Sequence, residues 1–199
     1  MEIQPEKFYE ACITHHLVNH FEINLDKKIY PFSISQIEEK KEGYDFGYKI
    51  SNKSFFIQYK RPYISLPQCL YNWKIELEQL ITINSKNYNI NTYYALPAFS
   101  DSLGWYTALN NTFFINAINL ENQIKKINFK RDIKSTTINK EKIKLETWKE
   151  IKHKFETTLN IALKEPLETN IKIEDISNYI KGLNQYTKDT TWLYIVEEE

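Results

Sequence analysis

Residues 42–63 have the sequence EGYDFGYKISNKSFFIQYKRPY, and the expected fold is built outward from them. Two runs in this segment, 43–50 and 54–60, are rich in aromatic and β-branched residues, which predicts two β-strands. The polar residues between them, Ser51-Asn52-Lys53-Ser54, are typical of a tight turn. We therefore expect a β-hairpin.

Side-chain alternation divides the second strand into two faces. Phe56, Gln58 and Lys60 share one face, because successive side chains of a strand point to opposite sides of the sheet. The other face is expected to be apolar and carries Phe55, Ile57 and Tyr59. The first strand places Asp45 near the polar face. A carboxylate, an amide oxygen and a lysine that converge on one end of a hairpin suit a hard cation and an attacking water.

Composition limits the class of protein. The chain has 199 residues, of which 42% are hydrophobic and 15% aromatic, enough for one well-packed domain. It has 26 basic and 26 acidic residues, so any nucleic-acid site must be a local patch. Two cysteines, the lack of a signal-peptide pattern and the lack of a membrane-length apolar run predict a cytoplasmic protein that does not enter a membrane.

The segment Pro5–Phe21 predicts a helix that carries two acids at the edge of its buried face. Pro5 suits the first turn. On a helical wheel Glu6 and Glu10 fall in the sector of the apolar residues Ile13 and Leu17. The helix dipole also favours acids near an N-terminus, without any function. Glu10 lies further inside the apolar stripe and is the preferred candidate for a site, with Glu6 as the alternative.

Other titratable residues are weaker candidates for metal ligands. His16 and His20 are four residues apart, a spacing found among metal ligands on helices. No third ligand completes a zinc motif, which favours exposed or hydrogen-bonded histidines. Glu38 and Glu39 are rivals of Asp45 as ligands, although a charged run is more simply a solvated surface.

The remaining segments predict further strands and helices. Pro62 and Pro67 are expected to end strand pairing at Lys60. The later elements are a strand leading into a helix, two buried strands and a short helix between the two strands, at Trp73–Asn84, Thr92–Phe99, Thr112–Ile118 and 100–110. This pattern predicts the α/β class, with a mixed central β-sheet flanked by helices.

Residues 124–154 form a basic segment, with eleven Lys or Arg against four Asp or Glu, a net charge of +7. A helix is expected to begin near Glu141 and to stop before Pro166. Its lysines either line a phosphate-binding face or form a solvated surface. Further along, Asp175–Gln185 predicts a helix and Thr191–Val196 predicts a closing strand.

The order of helix, strand with Asp45, strand with Gln58-x-Lys60, helix and strand resembles the PD-(D/E)XK nuclease superfamily over roughly residues 6–100. The resemblance implies a restriction-endonuclease-like fold, with a nuclease-like core at about 6–120 and C-terminal helices and a closing strand at 121–199. It implies that Mg²⁺ or Mn²⁺ is bound by Asp45, Gln58 and Glu10. It also implies that Lys60 is the catalytic lysine of the family.

The sequence departs from the family pattern at two positions. Tyr44 precedes Asp45 where the family has proline, and Gln58 replaces an acid, which is similar to the Mrr-like branch. Glutamine still offers a neutral oxygen ligand, but the site loses one negative charge. Cation affinity would then depend more on Asp45, the helix glutamate and substrate phosphate. Lys60 would orient the water or stabilise the developing charge.

The resemblance implies a metal-dependent nuclease that cleaves phosphodiester bonds, with DNA favoured over RNA and a role in restriction or phage defence. The alternative is a catalytically inactive protein of the same fold that binds nucleic acid or a partner protein. The sequence leaves open a homodimer or a separate partner subunit.

Overall fold

The computed structural model describes residues 3–33, 40–50, 53–65, 69–87, 89–128 and 134–155. Its helices are α1 (Glu6–Asn19), α2 (Leu77–Asn84), α3 (Ala117–Asn128) and α4 (148–155), with a π-helical turn at His20–Asn24 and 3-10 helices at Asn89–Asn91 and Ser102–Thr107. Its strands are β1 (Tyr30–Ser33), β2 (Phe46–Ile50), β3 (Lys53–Tyr59), β4 (Pro62–Ser65), β5 (Leu70–Glu76), β6 (Thr92–Pro97), β7 (Thr112–Asn116), β8 (Ser135–Ile138) and β9 (Glu146–Thr147).

The strands form a six-stranded sheet in the order β1-β2-β3-β6-β7-β9 and a three-stranded sheet in the order β4-β5-β8. The predicted hairpin is confirmed, since β2 and β3 pair antiparallel with Ile50 opposite Lys53. β3 then pairs parallel to β6, and β6 pairs antiparallel to β7. The large sheet is therefore mixed, and the predicted α/β class with a mixed central sheet flanked by helices is confirmed.

The central sheet separates two hydrophobic cores. One core contains side chains of α1, α4 and one face of the sheet, such as Leu17 and Ile57. The other contains side chains of α2, α3, the small sheet and the opposite face, such as Trp73 and Leu120. Each such side chain, when fully buried, contributes about 1.5–3 kcal/mol. Phe55, Ile57 and Tyr59 of β3 belong to the first core, whereas Gln58 of the same strand faces α2.

The prediction that strand pairing stops at Lys60 is confirmed for β3, which ends at Tyr59. Pro62 begins β4 of the small sheet, the position in a strand where a missing N–H costs least. One helix prediction was wrong at its start. The helix expected from Glu141 begins only at 148. Before it, the Asn139 Oδ1 atom accepts hydrogen bonds from the backbone N–H groups of Glu141 and Lys142, which fixes a turn instead.

The basic segment does not form one surface. Ile124 and Ile138 pack into the core beside α2, whereas Trp148 and Ile151 pack into the core beside α1. Its lysines are therefore distributed over elements on both sides of the central sheet. The described lysines lie on α3, on α4 and in the turns between them, and a phosphate-binding role for them stays a prediction.

Some predictions lie outside the described residues. They concern Glu38, Glu39, the helix end before Pro166, the helix Asp175–Gln185 and the strand Thr191–Val196. Within the described ranges, none of the helices combines the length and apolar character that crossing a membrane requires.

Candidate active site

Asp45 lies one residue before β2 and is held against β3. Its backbone N–H donates to the carbonyl oxygen of Ile57 at 3.1 Å. Its Oδ2 atom accepts hydrogen bonds from Gln58 Nε2 and from the backbone N–H of Tyr59, both at 2.7 Å. The residue is only 8% exposed, so these bonds provide the partners that a buried carboxylate needs.

Gly43 shapes the backbone that delivers Asp45 to this position. Its φ of +86° lies in the left-handed region, where a side chain is strained. A Cβ atom at this position would lie 2.6 Å from Ile83 Cγ1 of α2. The absence of a side chain therefore lets the loop before Asp45 pack closely on α2.

A chain of hydrogen bonds links Asp45 to Lys60. Gln58 donates through Nε2 to Asp45 and accepts through Oε1 from Gln79 Nε2 at 2.8 Å. The Oε1 atom of Gln79 accepts from Lys60 Nζ, also at 2.8 Å. The structure thus brings the predicted residues Asp45, Gln58 and Lys60 together, but Lys60 joins the other two through Gln79.

The backbone of Tyr59 adds a further oxygen atom. Gln58 Nε2 donates to the carbonyl oxygen of Tyr59 at 3.1 Å in addition to its bond with Asp45 Oδ2. The carboxylate and the carbonyl oxygen therefore face the same amide nitrogen. The Asp45 carboxylate oxygen and the Tyr59 carbonyl oxygen thus lie close to one point, and hard cations prefer such oxygen-rich surroundings.

The N-terminus of α1 is attached to the end of β3. Glu6 Oε2 accepts a hydrogen bond from the backbone N–H of Arg61 at 2.9 Å, and Arg61 Nη2 donates to the carbonyl oxygen of Ile3 at 2.7 Å. Glu6 is therefore fixed directly beside the residue that follows Lys60. This contact orients α1 relative to the candidate site.

Glu10 is nearly inaccessible, with 3% of its surface exposed. Its Oε2 atom accepts from Lys7 Nζ at 2.7 Å. Burial is the main cause of the raised pKa of Tyr48, and the negative charges of Asp45 and Glu10 also raise it. Glu10 enters this region from α1, on the side of the sheet opposite α2.

A cluster of hydroxyl groups lies under the hairpin. Thr14 Oγ1 is 2.7 Å from the Tyr48 hydroxyl oxygen and 3.1 Å from that of Tyr59, and the two phenols also hydrogen-bond to each other. Burial raises the pKa of Tyr59 well above its ordinary value. The face of β3 predicted to be apolar thus carries a neutral hydroxyl at Tyr59, which is satisfied by neighbouring hydroxyl groups.

Sequence reasoning missed Gln79. The inward-facing residues of α2 are otherwise apolar, namely Leu77, Leu80 and Ile83. A single amide beside such a stripe is unusual, and this was the available indication. Its partners, Gln58 and Lys60, lie about twenty residues earlier, so only the tertiary structure reveals the connection.

The histidines have partners outside this site. His16 Nε2 donates to the Trp105 carbonyl oxygen at 2.6 Å, and His20 Nδ1 accepts from Asn24 Nδ2 at 2.9 Å. Among the described residues, no group of three or more His, Cys, Asp or Glu side chains could hold a metal ion. The hydrogen-bonded interpretation of both histidines is therefore confirmed.

Comparison with solved structures finds a similar fold in a nuclease. The structure is similar to that of a nuclease from a fusselovirus, with a TM-score of 0.55 and 13% sequence identity over 80% of this chain and 98% of the other. At this identity the likeness establishes the fold, which is one that a nuclease uses. No protein-family model matches the chain, and no curated protein matches it.

Proposed function

We propose that this protein is a metal-dependent nuclease that hydrolyses phosphodiester bonds at the site formed by Asp45, Gln58 and Lys60. The observation that carries the proposal is the continuous chain of hydrogen bonds from the Asp45 carboxylate through Gln58 and Gln79 to the Lys60 ammonium group. The likeness of the fold to a viral nuclease supports it. So does the resemblance of the Asp45 and Gln58-x-Lys60 pattern to the PD-(D/E)XK superfamily.

The residues at the site fit a Mg²⁺ or Mn²⁺ ion. Asp45 Oδ2 and the carbonyl oxygen of Tyr59 both face Gln58 Nε2, at 2.7 and 3.1 Å. To act as a ligand, Gln58 would have to turn its amide so that Oε1 replaces Nε2 beside Asp45, and this turn would release its hydrogen bond from Gln79 Nε2. When bound, the cation would supply Lewis-acid stabilisation of the charge that develops on the phosphate. Mg²⁺ commonly keeps several waters and uses few protein ligands.

Lys60 is proposed to act on the substrate. It is half-buried, and its Nζ atom is held 2.8 Å from Gln79 Oε1, which limits the orientations of a flexible side chain. In that position the ammonium group orients the attacking water or neutralises a phosphate oxygen. Gln79 acts through Lys60 and Gln58 and is therefore a positioning residue.

Glu10 is proposed as the acid that α1 contributes. Its burial, which is rare for a carboxylate, supports this choice. Glu6 fits a structural role better, because its carboxylate is bound to the backbone of Arg61 at 2.9 Å. Removing Glu6 should loosen α1, and removing Glu10 should weaken cation binding.

The proposed substrate is nucleic acid, with DNA favoured over RNA, and the proposed setting is restriction or phage defence. These finer assignments rest on the superfamily resemblance alone. A zero net charge overall requires the substrate to bind through local cationic groups such as Lys60 and Arg61.

A second function has its own supporting observation. Gln58 occupies the position of an acid and already satisfies Asp45 with its amide hydrogens, so the network is complete without a cation. A catalytically inactive protein of this fold that binds nucleic acid or a partner protein would have such a network. Cleavage activity distinguishes the two.

The test is to incubate wild type and Lys60→Ala with mixed single-stranded DNA, duplex DNA and RNA in Mg²⁺. Lys74→Ala is a matched control, because Lys74 is an exposed β5 residue that pairs with Glu76 at 2.7 Å. Cleavage by wild type and Lys74→Ala, with a loss of about 100-fold or more in Lys60→Ala, supports the proposal. Binding without cleavage in all three proteins favours the inactive alternative.

A further inference from the structure

A separate cleft lies at the C-terminal end of α1. It has a volume of about 310 Å³ and is formed by the π-helical turn, the 3-10 helix Ser102–Thr107 and Trp148 of α4. We call it the α1 cleft and define it by His16, His20, Asn24, Tyr106, Asn110 and Trp148. π-Helical turns inside helices frequently occur at functional sites.

The polar groups of the α1 cleft are imidazoles, amides and hydroxyl groups that donate and accept hydrogen bonds. The described residues that line it include histidine, asparagine and threonine, and none of those described is Asp, Glu, Lys or Arg. Asn24 Nδ2 donates to His20 Nδ1 at 2.9 Å, which places the proton of a neutral His20 ring on Nε2. The ring of His16 is oriented by its bond to the carbonyl oxygen of Trp105. The lining therefore offers hydrogen bonds in fixed directions.

Flat aromatic groups complete the cleft. The His20 ring meets Trp148 edge to face, with centroids 4.9 Å apart and planes at 89°. Trp148 is held in turn by Phe155, with centroids 5.9 Å apart. Tyr106 is 77% exposed, which is unusual for a tyrosine. The accessible ring of the cleft is thus that of Tyr106, whereas Trp148 is 7% exposed and is packed against His20.

We propose that the α1 cleft binds an unpaired nucleobase of a single-stranded nucleic acid. A base is a planar, neutral group with donors and acceptors on its edge, and proteins bind such bases by aromatic stacking and neutral hydrogen bonds. A cleft of 310 Å³ lies within the range of small-ligand sites. A phosphate would require cationic groups that the lining lacks, and a metal would require more than the two imidazoles present.

This inference rests on the proposed function, because it makes the cleft a second contact for the same nucleic acid. From Glu6, beside Lys60, to His16 the helix axis rises by about 15 Å. Successive nucleotides of one DNA strand are spaced about 3.4 Å apart along a duplex, so that distance corresponds to several nucleotides. The cleft would hold a base several positions away from the bond to be cleaved.

The test compares a fluorescently labelled single-stranded DNA with an abasic strand of the same length. The abasic strand keeps the phosphates but lacks bases, so it separates base recognition from charge. Binding is measured by anisotropy in EDTA, where metal-dependent cleavage does not occur. Wild type should bind the normal strand more tightly, and Tyr106→Ala should lose about 5- to 100-fold of its affinity for that strand alone.

The matched control is Leu103→Ala. Leu103 is 75% exposed and lies in the same 3-10 helix but does not line the cleft, so this variant should bind as wild type does. Circular dichroism confirms that each variant is folded. Equal affinity of wild type for normal and abasic strands, or unchanged binding by Tyr106→Ala, overturns the cleft proposal and leaves the nuclease proposal intact. If the wild type prefers the normal strand but does not cleave nucleic acid, only the nuclease proposal is overturned.

Discussion

Replacing Gln79 by methionine tests the hydrogen-bonded network, because one substitution removes two of its hydrogen bonds. Methionine keeps much of the length of glutamine and favours helices, but it cannot replace either amide atom. The substitution removes the bond from Gln79 Nε2 to Gln58 Oε1 and the bond from Lys60 Nζ to Gln79 Oε1, both 2.8 Å long. The fold of α2 should remain, because its buried residues are unchanged.

The cost follows from the burial of the two partners. Gln58 is 1% exposed, so its acceptor cannot turn to water, and leaving it unsatisfied costs about 1–3 kcal/mol. Lys60 is half-buried and can be rehydrated, so the loss of its bond adds little. We expect a decrease of about 2 kcal/mol in the free energy of unfolding, a lowering of Tm by about 4–8 °C for a chain of 199 residues.

Urea unfolding and thermal circular dichroism measure this change. Ile81→Met is the control, because Ile81 lies on the same helix and is 54% exposed, and its replacement should cost less than about 0.5 kcal/mol. A Gln79→Met variant as stable as the Ile81→Met variant would refute the conclusion that Gln79 satisfies a buried acceptor.

Three further predictions concern buried groups. The Tyr94 hydroxyl is buried without a hydrogen-bond partner among the described residues, so Tyr94→Phe should be neutral or stabilising, whereas Tyr59→Phe should cost about 1 kcal/mol in urea unfolding. Burial raises the pKa of Cys12 to about 12. A thiol reagent near pH 8 should therefore modify the exposed Cys69 rapidly and Cys12 only after denaturation. Rapid modification of both cysteines would contradict this. Burial also raises the pKa of Tyr48 in the folded state, so the contribution of its neutral phenol to stability is complete below pH 10 and is lost above it. The free energy of unfolding in urea should therefore fall from pH 8 to 11.5, and it should fall less in Tyr48→Phe. Equal falls in both proteins would refute this.

The hairpin could be predicted because the residues that specify it are close together in the sequence. Aromatic runs, a polar turn and strand alternation all lie within residues 42–63, and these features placed Asp45 and Gln58 side by side. Pro5 and the apolar stripe of α1 identified the first helix in the same way. For such elements, secondary-structure preference and burial favour the same conformation.

Other features depended on long-range contacts. Gln79 meets Gln58 only because α2 packs on the face of β3 that carries the amide. Strand β8 is four residues long and pairs with β5 across a separation of about sixty residues, so its short sequence gives little periodicity. The helix expected from Glu141 was displaced by the turn at Asn139 and by β9, which a lysine-rich sequence did not indicate.

The most direct test of the central claim compares wild type and Asp45→Asn in Mg²⁺ and in EDTA. Asparagine can keep an acceptor oxygen towards Gln58 and Tyr59, so the variant should fold, but it lacks the charge that holds a hard cation. We expect wild type to cleave nucleic acid in Mg²⁺ and not in EDTA, and Asp45→Asn to bind Mg²⁺ weakly and not to cleave. Undiminished cleavage by Asp45→Asn in Mg²⁺, or equal cleavage by wild type in EDTA, would contradict the assignment of Asp45 as the principal ligand of a metal-dependent nuclease.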